Sequence, residues 1–139
     1  MCSFYTILEH PADIGIEARG VNLIEAFKQS AIALISIILD MSNLDLIEKK
    51  DIKIIALDYE QLLVKWLNEI LYLYDGDNFI PVNINIKNLS PTFLEAEVQG
   101  EKFNPQKHHT KMDVKAITYH QILVQEKEND CLVRVYLDI

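Results

Sequence analysis

The sequence predicts an α+β domain in which two helices pack on a largely antiparallel sheet, and three observations carry that reading. Two apolar repeats at helical spacing each open on a capping signature, Asn22 with Glu25 and Asp58 with Gln61. From Phe79 onward the apolar residues switch to strict alternation, beginning with Ile80, Val82, Ile84 and Ile86. Strands mix with helices early and dominate late, which suits an α+β arrangement better than repeated strand-helix-strand units.

Taken in order, Ser3 to Glu9 and Ile14 to Gly20 read as two short strands, the second setting Ile14, Ile16 and Ala18 against Gly15, Glu17 and Arg19. Pro11 fixes its own φ and drives His10 toward extended geometry, so the link His10-Pro11-Ala12-Asp13 is held and Asp13 falls at a turn edge. The first helix follows Asn22 through Leu23, Phe27, Ala31, Leu34 and Ile38, and its second half is apolar nearly all round, as expected for a deeply packed helix. Asp40 to Lys50 is polar and reads as a connection, and Ile52 to Leu57 as a strand. The second helix runs from Asp58 through Leu62, Leu63, Trp66, Leu67, Ile70 and Leu71 to the turn at Asp75-Gly76-Asp77-Asn78, with Trp66 in the core. Phe79 to Ile86, Phe93 to Val98, Ile117 to Val124 and Leu132 to Leu137 then form an antiparallel meander.

Residues 1–139 are expected to form one domain, since half of them are hydrophobic and a chain of this length buries a sufficient core. A net charge of −8 repels a phosphate backbone, which argues against direct, non-specific nucleic-acid binding and favours docking to a basic partner. Cys2 and Cys131 stand alone and read as free thiols of a reducing cytoplasm. The opening residues lack a signal-peptide pattern, and the longest apolar stretch, Ala31 to Leu39, falls far short of the roughly 20 residues of a membrane span. Oligomeric state is left open.

Four segments in register, His10-Pro11-Ala12-Asp13-Ile14-Gly15-Ile16-Glu17-Ala18, the helix segment Glu60 to Tyr72, Val114-Lys115-Ala116-Ile117-Thr118-Tyr119-His120 and the closing Leu137-Asp138-Ile139, resemble the archease family. The pattern departs at Pro11, where Thr or Ser is also usual, and at Gln121, where Gly commonly follows Tyr-His. The resemblance implies a strand-helix-strand-strand module. It also implies a non-catalytic partner of an RtcB-type tRNA-splicing RNA ligase, promoting its guanylylation and multiple turnover and broadening the nucleotides it accepts. It further implies a divalent-metal site at Asp13, Asp138 and the carboxylate of Ile139, most often filled by calcium, with magnesium or manganese as alternatives.

The residues support that chemistry independently, because carboxylates form an all-oxygen, hard donor set suited to calcium or magnesium. The blander reading makes Asp13 a turn-capping residue and Asp138 a solvated one. Lys115 is the candidate cation for phosphate or a ligase carboxylate, and His10, His120 and Glu60 are further candidates at the ligase contact. His108-His109 reads as loop, since adjacent strand residues point to opposite faces. Two competing functions are a stand-alone metal-dependent phosphoester hydrolase and a general chaperone. The first lacks a second metal cluster or a phosphate-cradling glycine loop, and the second needs an exposed apolar surface.

Overall fold

The computed structural model describes residues 3–9 and 13–139. Among them the chain forms β1 (Phe4–Glu9), β2 (Asp13–Gly20), α1 (Leu23–Ile38), β3 (Glu48–Ile55), α2 (Tyr59–Asp75), β4 (Phe79–Ser90), β5 (Phe93–Lys102), β6 (Ala116–Gln125) and β7 (Cys131–Asp138). The strands make two antiparallel sheets, one of order β1-β2-β7-β6 and one of order β3-β5-β4. The succession β3-α2-β4-β5 is a strand-helix-strand-strand module, as expected.

Both helices begin where the side chains dictate. Asn22 Oδ1 accepts the Glu25 N–H at 2.9 Å, and Asp58 Oδ1 accepts that of Gln61 at 2.8 Å, each satisfying a donor that the first turn leaves without an intrahelical partner. Each helix touches strands of both sheets: α1 meets β1, β2, β7 and β4, while α2 meets β6, β3, β4 and β5. This explains why α1 is apolar around most of its circumference. Trp66 is fully buried, as expected, and its indole N–H donates to the Phe27 carbonyl at 3.0 Å, tying α2 to α1. The sheets turn Ile14, Ile16, Val133, Val135 and Leu137, and Ile52, Ile54, Leu94, Ala96 and Val98, into the core.

Two expectations need correction. The four later strands are not one meander: β4 and β5 belong to one sheet, β6 and β7 to the other, because β7 pairs with β2 from the start of the chain. β3 also starts at Glu48 rather than Ile52: its first two inward positions, Glu48 and Lys50, are charged and only half-buried, so no apolar alternation marks them.

The connection 103–115 carries the chain between sheets and closes the end of α1. Lys111 N–H donates to the Ile38 carbonyl at 2.8 Å and Lys111 Nζ to the Ser36 carbonyl at 2.9 Å, satisfying carbonyls that the helix end leaves open. A buried clasp holds this connection. The Glu101 carboxylate receives Lys107 Nζ at 2.9 Å and the Asp45 N–H at 2.8 Å, and Lys107 also reaches Asp45 Oδ2 at 2.8 Å. His108 lies in loop, as expected, but is buried: its Nδ1 accepts the Asn104 N–H at 2.8 Å, leaving the proton of the neutral ring on Nε2, 3.2 Å from Glu101 Oε2. Burial pushes the Glu101 carboxyl up, but the Asp45 N–H, Lys107 and His108 outweigh it and hold the group at about 2.

Candidate functional site

Three parts of the chain converge where β2, β7 and β6 meet. Asp13, the first residue of β2, lies directly opposite Asp138, the last residue of β7. Asp138 lies opposite Ala116 on its other side, and its carbonyl accepts the Lys115 N–H at 2.8 Å. Directly opposed residues share a face, with Cβ atoms about 5 Å apart. Ile14, Leu137 and Ile117 form the next row and point into the core, so the aspartates belong to the outer face. Lys115 is exposed, and Ile139 follows Asp138 with its side chain packed against the core.

The pair is chemically suited to a hard cation, because each carboxylate offers two oxygens and the strand pairing holds both on one surface. Among the described residues no group of three or more His, Cys, Asp or Glu side chains is placed to hold a metal. A bound ion would therefore complete its shell with main-chain oxygens, water or groups from a partner.

Beside the aspartates, one step along the same face, lies Tyr136. Its ring covers Gly15: a Cβ on that glycine would sit 2.8 Å from Tyr136 Cε1, so only glycine permits the close approach. His120 meets the same ring edge-on, centroids 5.8 Å apart. Its position follows from a bulge: between the pairs Thr118–Tyr136 and Leu123–Arg134, residues 119–122 of β6 face only Val135 of β7. Gln121 turns through φ 50°, a left-handed conformation that glycine adopts more readily than other residues. Thr118 Oγ1 donates to the Tyr136 carbonyl at 2.9 Å and pins the base of the bulge.

The structure thus brings together Asp13, Asp138, Ile139 and Lys115, with His120 one step away. His10 lies outside the described residues. Glu60 belongs elsewhere: burial, Glu126 and Cys131 raise the phenol of its neighbour Tyr59, which places the start of α2 at the Cys131 end of β7. That end is seven residues, about 24 Å, from Asp138. The sequence reading missed Tyr136, although its place two residues before Asp138 put it on the same face.

The chain is thus an α+β domain built on a strand-helix-strand-strand module, with two opposed aspartates at one corner and Lys115 tied to that corner through its main chain. The Archease protein family (MTH1598/TM1083) matches residues 5–139, and the chain belongs to that family. Protein archease of Sulfurisphaera tokodaii is 39% identical over 139 residues, covering 97% of this chain and 98% of that one. Protein archease of Pyrococcus furiosus is 38% identical over 120 residues, covering 84% of each. The solution structure of protein 1598 from Methanobacterium thermoautotrophicum superposes with a TM-score of 0.80 at 26% identity, covering 97% of this chain and 98% of the other. A crystal structure of an archease, possible chaperone, from Thermotoga maritima shares the fold, with a TM-score of 0.60 at 20% identity, over 95% of this chain and 94% of the other.

Proposed function

We propose that this protein is a non-catalytic activator of an RtcB-type RNA ligase, promoting guanylylation and repeated turnover and widening the nucleotides accepted. The corner carries a divalent cation, calcium first, on Asp13, Asp138 and the Ile139 carboxylate. The observation that supports this is the direct opposition of Asp13 and Asp138 with Lys115 anchored to the same residue. A pair of hard carboxylates with incomplete protein ligation leaves positions open to phosphate or to ligase groups, and the exposed Lys115 amine suits either. The site of action is the cytoplasm; among the described residues no helix is long and apolar enough to cross a membrane.

The test is multiple-turnover RNA ligation by the cognate ligase, with this protein and with Asp13→Ala, Asp138→Ala and Lys115→Ala. Wild type is expected to accelerate ligase guanylylation and the folded aspartate variants to lose both the acceleration and calcium binding by calorimetry. Phosphoester turnover by this protein alone would instead favour the hydrolase. Rescue of unrelated clients, undiminished by Asp13→Ala, would favour a general chaperone.

A further inference from the structure

Among the described residues β3 is an edge strand whose sole neighbour in its sheet is β5. The Ala56 N–H donates to the Thr92 carbonyl at 3.0 Å, continuing the β3–β5 register and fixing its parity. Even-numbered residues of β3 therefore turn their N–H and C=O groups to β5, and Lys49, Asp51, Lys53 and Ile55 turn theirs to the free edge. Lys65 agrees with this parity, since its amine reaches from α2 to the Ile55 carbonyl at 2.9 Å. The same odd positions expose their side chains, while Ile52 and Ile54 are buried.

Charge in the middle of an edge strand is ordinary protection against unwanted pairing. Apolar ends are not. Ile47 is 71% exposed before the strand, and Ile55 and Leu57 are 74% and 82% exposed at its other end. Tyr72, 56% exposed, lines an open groove of about 510 Å³ along the edge together with Ile54, Ile55 and Asn68.

We propose that β3 pairs antiparallel with β3 of a second copy of this chain, about a two-fold axis at Ile52, joining two three-stranded sheets into one of six. Donors and acceptors meet along this edge only where odd residues oppose odd residues. With Ile52 opposite Ile52, each Asp51 faces the partner's Lys53 and each Lys49 lays its stem along the partner's Ile55; the regular edge ends there, since the Ile47 N–H turns inward to the Gly100 carbonyl at 2.8 Å. Opposite charges meet at the centre of the pairing and apolar surface at the Ile55 ends. Centring the pair on Asp51 sets Lys49 against the partner's Lys53, and centring it on Lys53 sets like charges face to face. Centring it on Lys50 restores a Lys49–Asp51 match but leaves Ile55 uncovered. Lys65 gives up the Ile55 carbonyl, which then accepts from the partner's Lys49 N–H.

Sedimentation equilibrium on the intact chain tests this. The wild-type mass is expected to rise with concentration from 16.0 kDa toward twice that value. Asp51→Lys and Lys53→Asp each set like charges opposite one another twice, and each should weaken association at least about tenfold. Within one chain Lys53 lies opposite Glu95, 3.8 Å from its carboxylate, and Asp51 lies opposite Glu97, so in dilute solution Lys53→Asp should lower the melting temperature slightly and Asp51→Lys should not, with circular dichroism unchanged in both; association lost in both variants is then not a loss of fold. The double exchange should restore the dimer, and mixing the two single variants should give a heterodimer, because one then carries two lysines and the other two aspartates. A wild type that stays at 16.0 kDa at its highest soluble concentration overturns the proposal, as do single variants that associate like wild type. Failure of the double exchange and the mixture to recover overturns the register.

Discussion

Replacing Glu101 by Gln removes the charge at the centre of the clasp that holds the connection 103–115. A carboxyl held at about 2 in the fold, against 4.5 for the same group unfolded, stabilises the protein at neutral pH by about 3 kcal/mol. Because the folded value is depressed, this contribution is fully present above pH 4.5 and lost as pH falls toward 2. At pH 3 the same linkage leaves about 1 kcal/mol. Urea denaturation of wild type and Glu101→Gln at pH 7 and pH 3 should therefore give a difference of about 3 kcal/mol that shrinks to about 1, other carboxylates cancelling between the two proteins. Exchange of the amides of 104–115 should accelerate in the variant even where the global fold survives. A difference equal at both pH values, or near zero at pH 7, refutes the assignment of that stability to the Glu101 charge.

Gly100→Ala should destabilise the fold by about 3 kcal/mol in thermal or urea unfolding, because the added Cβ runs into the Ile80 carbonyl oxygen of the neighbouring strand. Gln121→Gly should raise stability by about 0.5 to 1 kcal/mol: among the described residues the other non-glycine residues at positive φ are Asn43, Asn78 and Asn129, a type that tolerates this geometry better than Gln. Asn22→Ala should cost about 1 kcal/mol by removing the acceptor of the Glu25 N–H, and Asn22→Asp should largely restore it.

The helices were legible because their signals are local: Asn22 and Asp58 cap within three residues, and the 3.6-residue period survives burial. Strand identity was legible from alternation, but strand partners were not. The pairing of β2 with β7 joins residues more than a hundred positions apart, and nothing in either segment names the other. Glu48 to Lys50 read as connection because the inward positions there, Glu48 and Lys50, are charged and only half-buried. His108 read as plain loop; its burial depends on Glu101, Phe103 and Asn104 folding around it. At the candidate site, Asp13 and Asp138 were singled out together by the family motif, whereas their opposition is a product of tertiary register. Glu60 failed to join them because the amphipathic pattern of α2 fixes its face but not which end of the sheet it meets.

The β2–β7 pairing also sets when the corner can exist. Closing a loop of over a hundred residues costs about 4 kcal/mol in chain entropy beyond a constant term, so contacts between the two strands form late in folding. During synthesis β1, β2 and α1 emerge long before the strand that fills the gap between β2 and β6. A nascent or partly unfolded chain therefore displays Asp13 without Asp138, and the two carboxylates are paired only once β7 zips into place. Binding of a divalent ion at this corner would accordingly act as a lock on completed molecules, and its release would be the first sign of β7 coming loose.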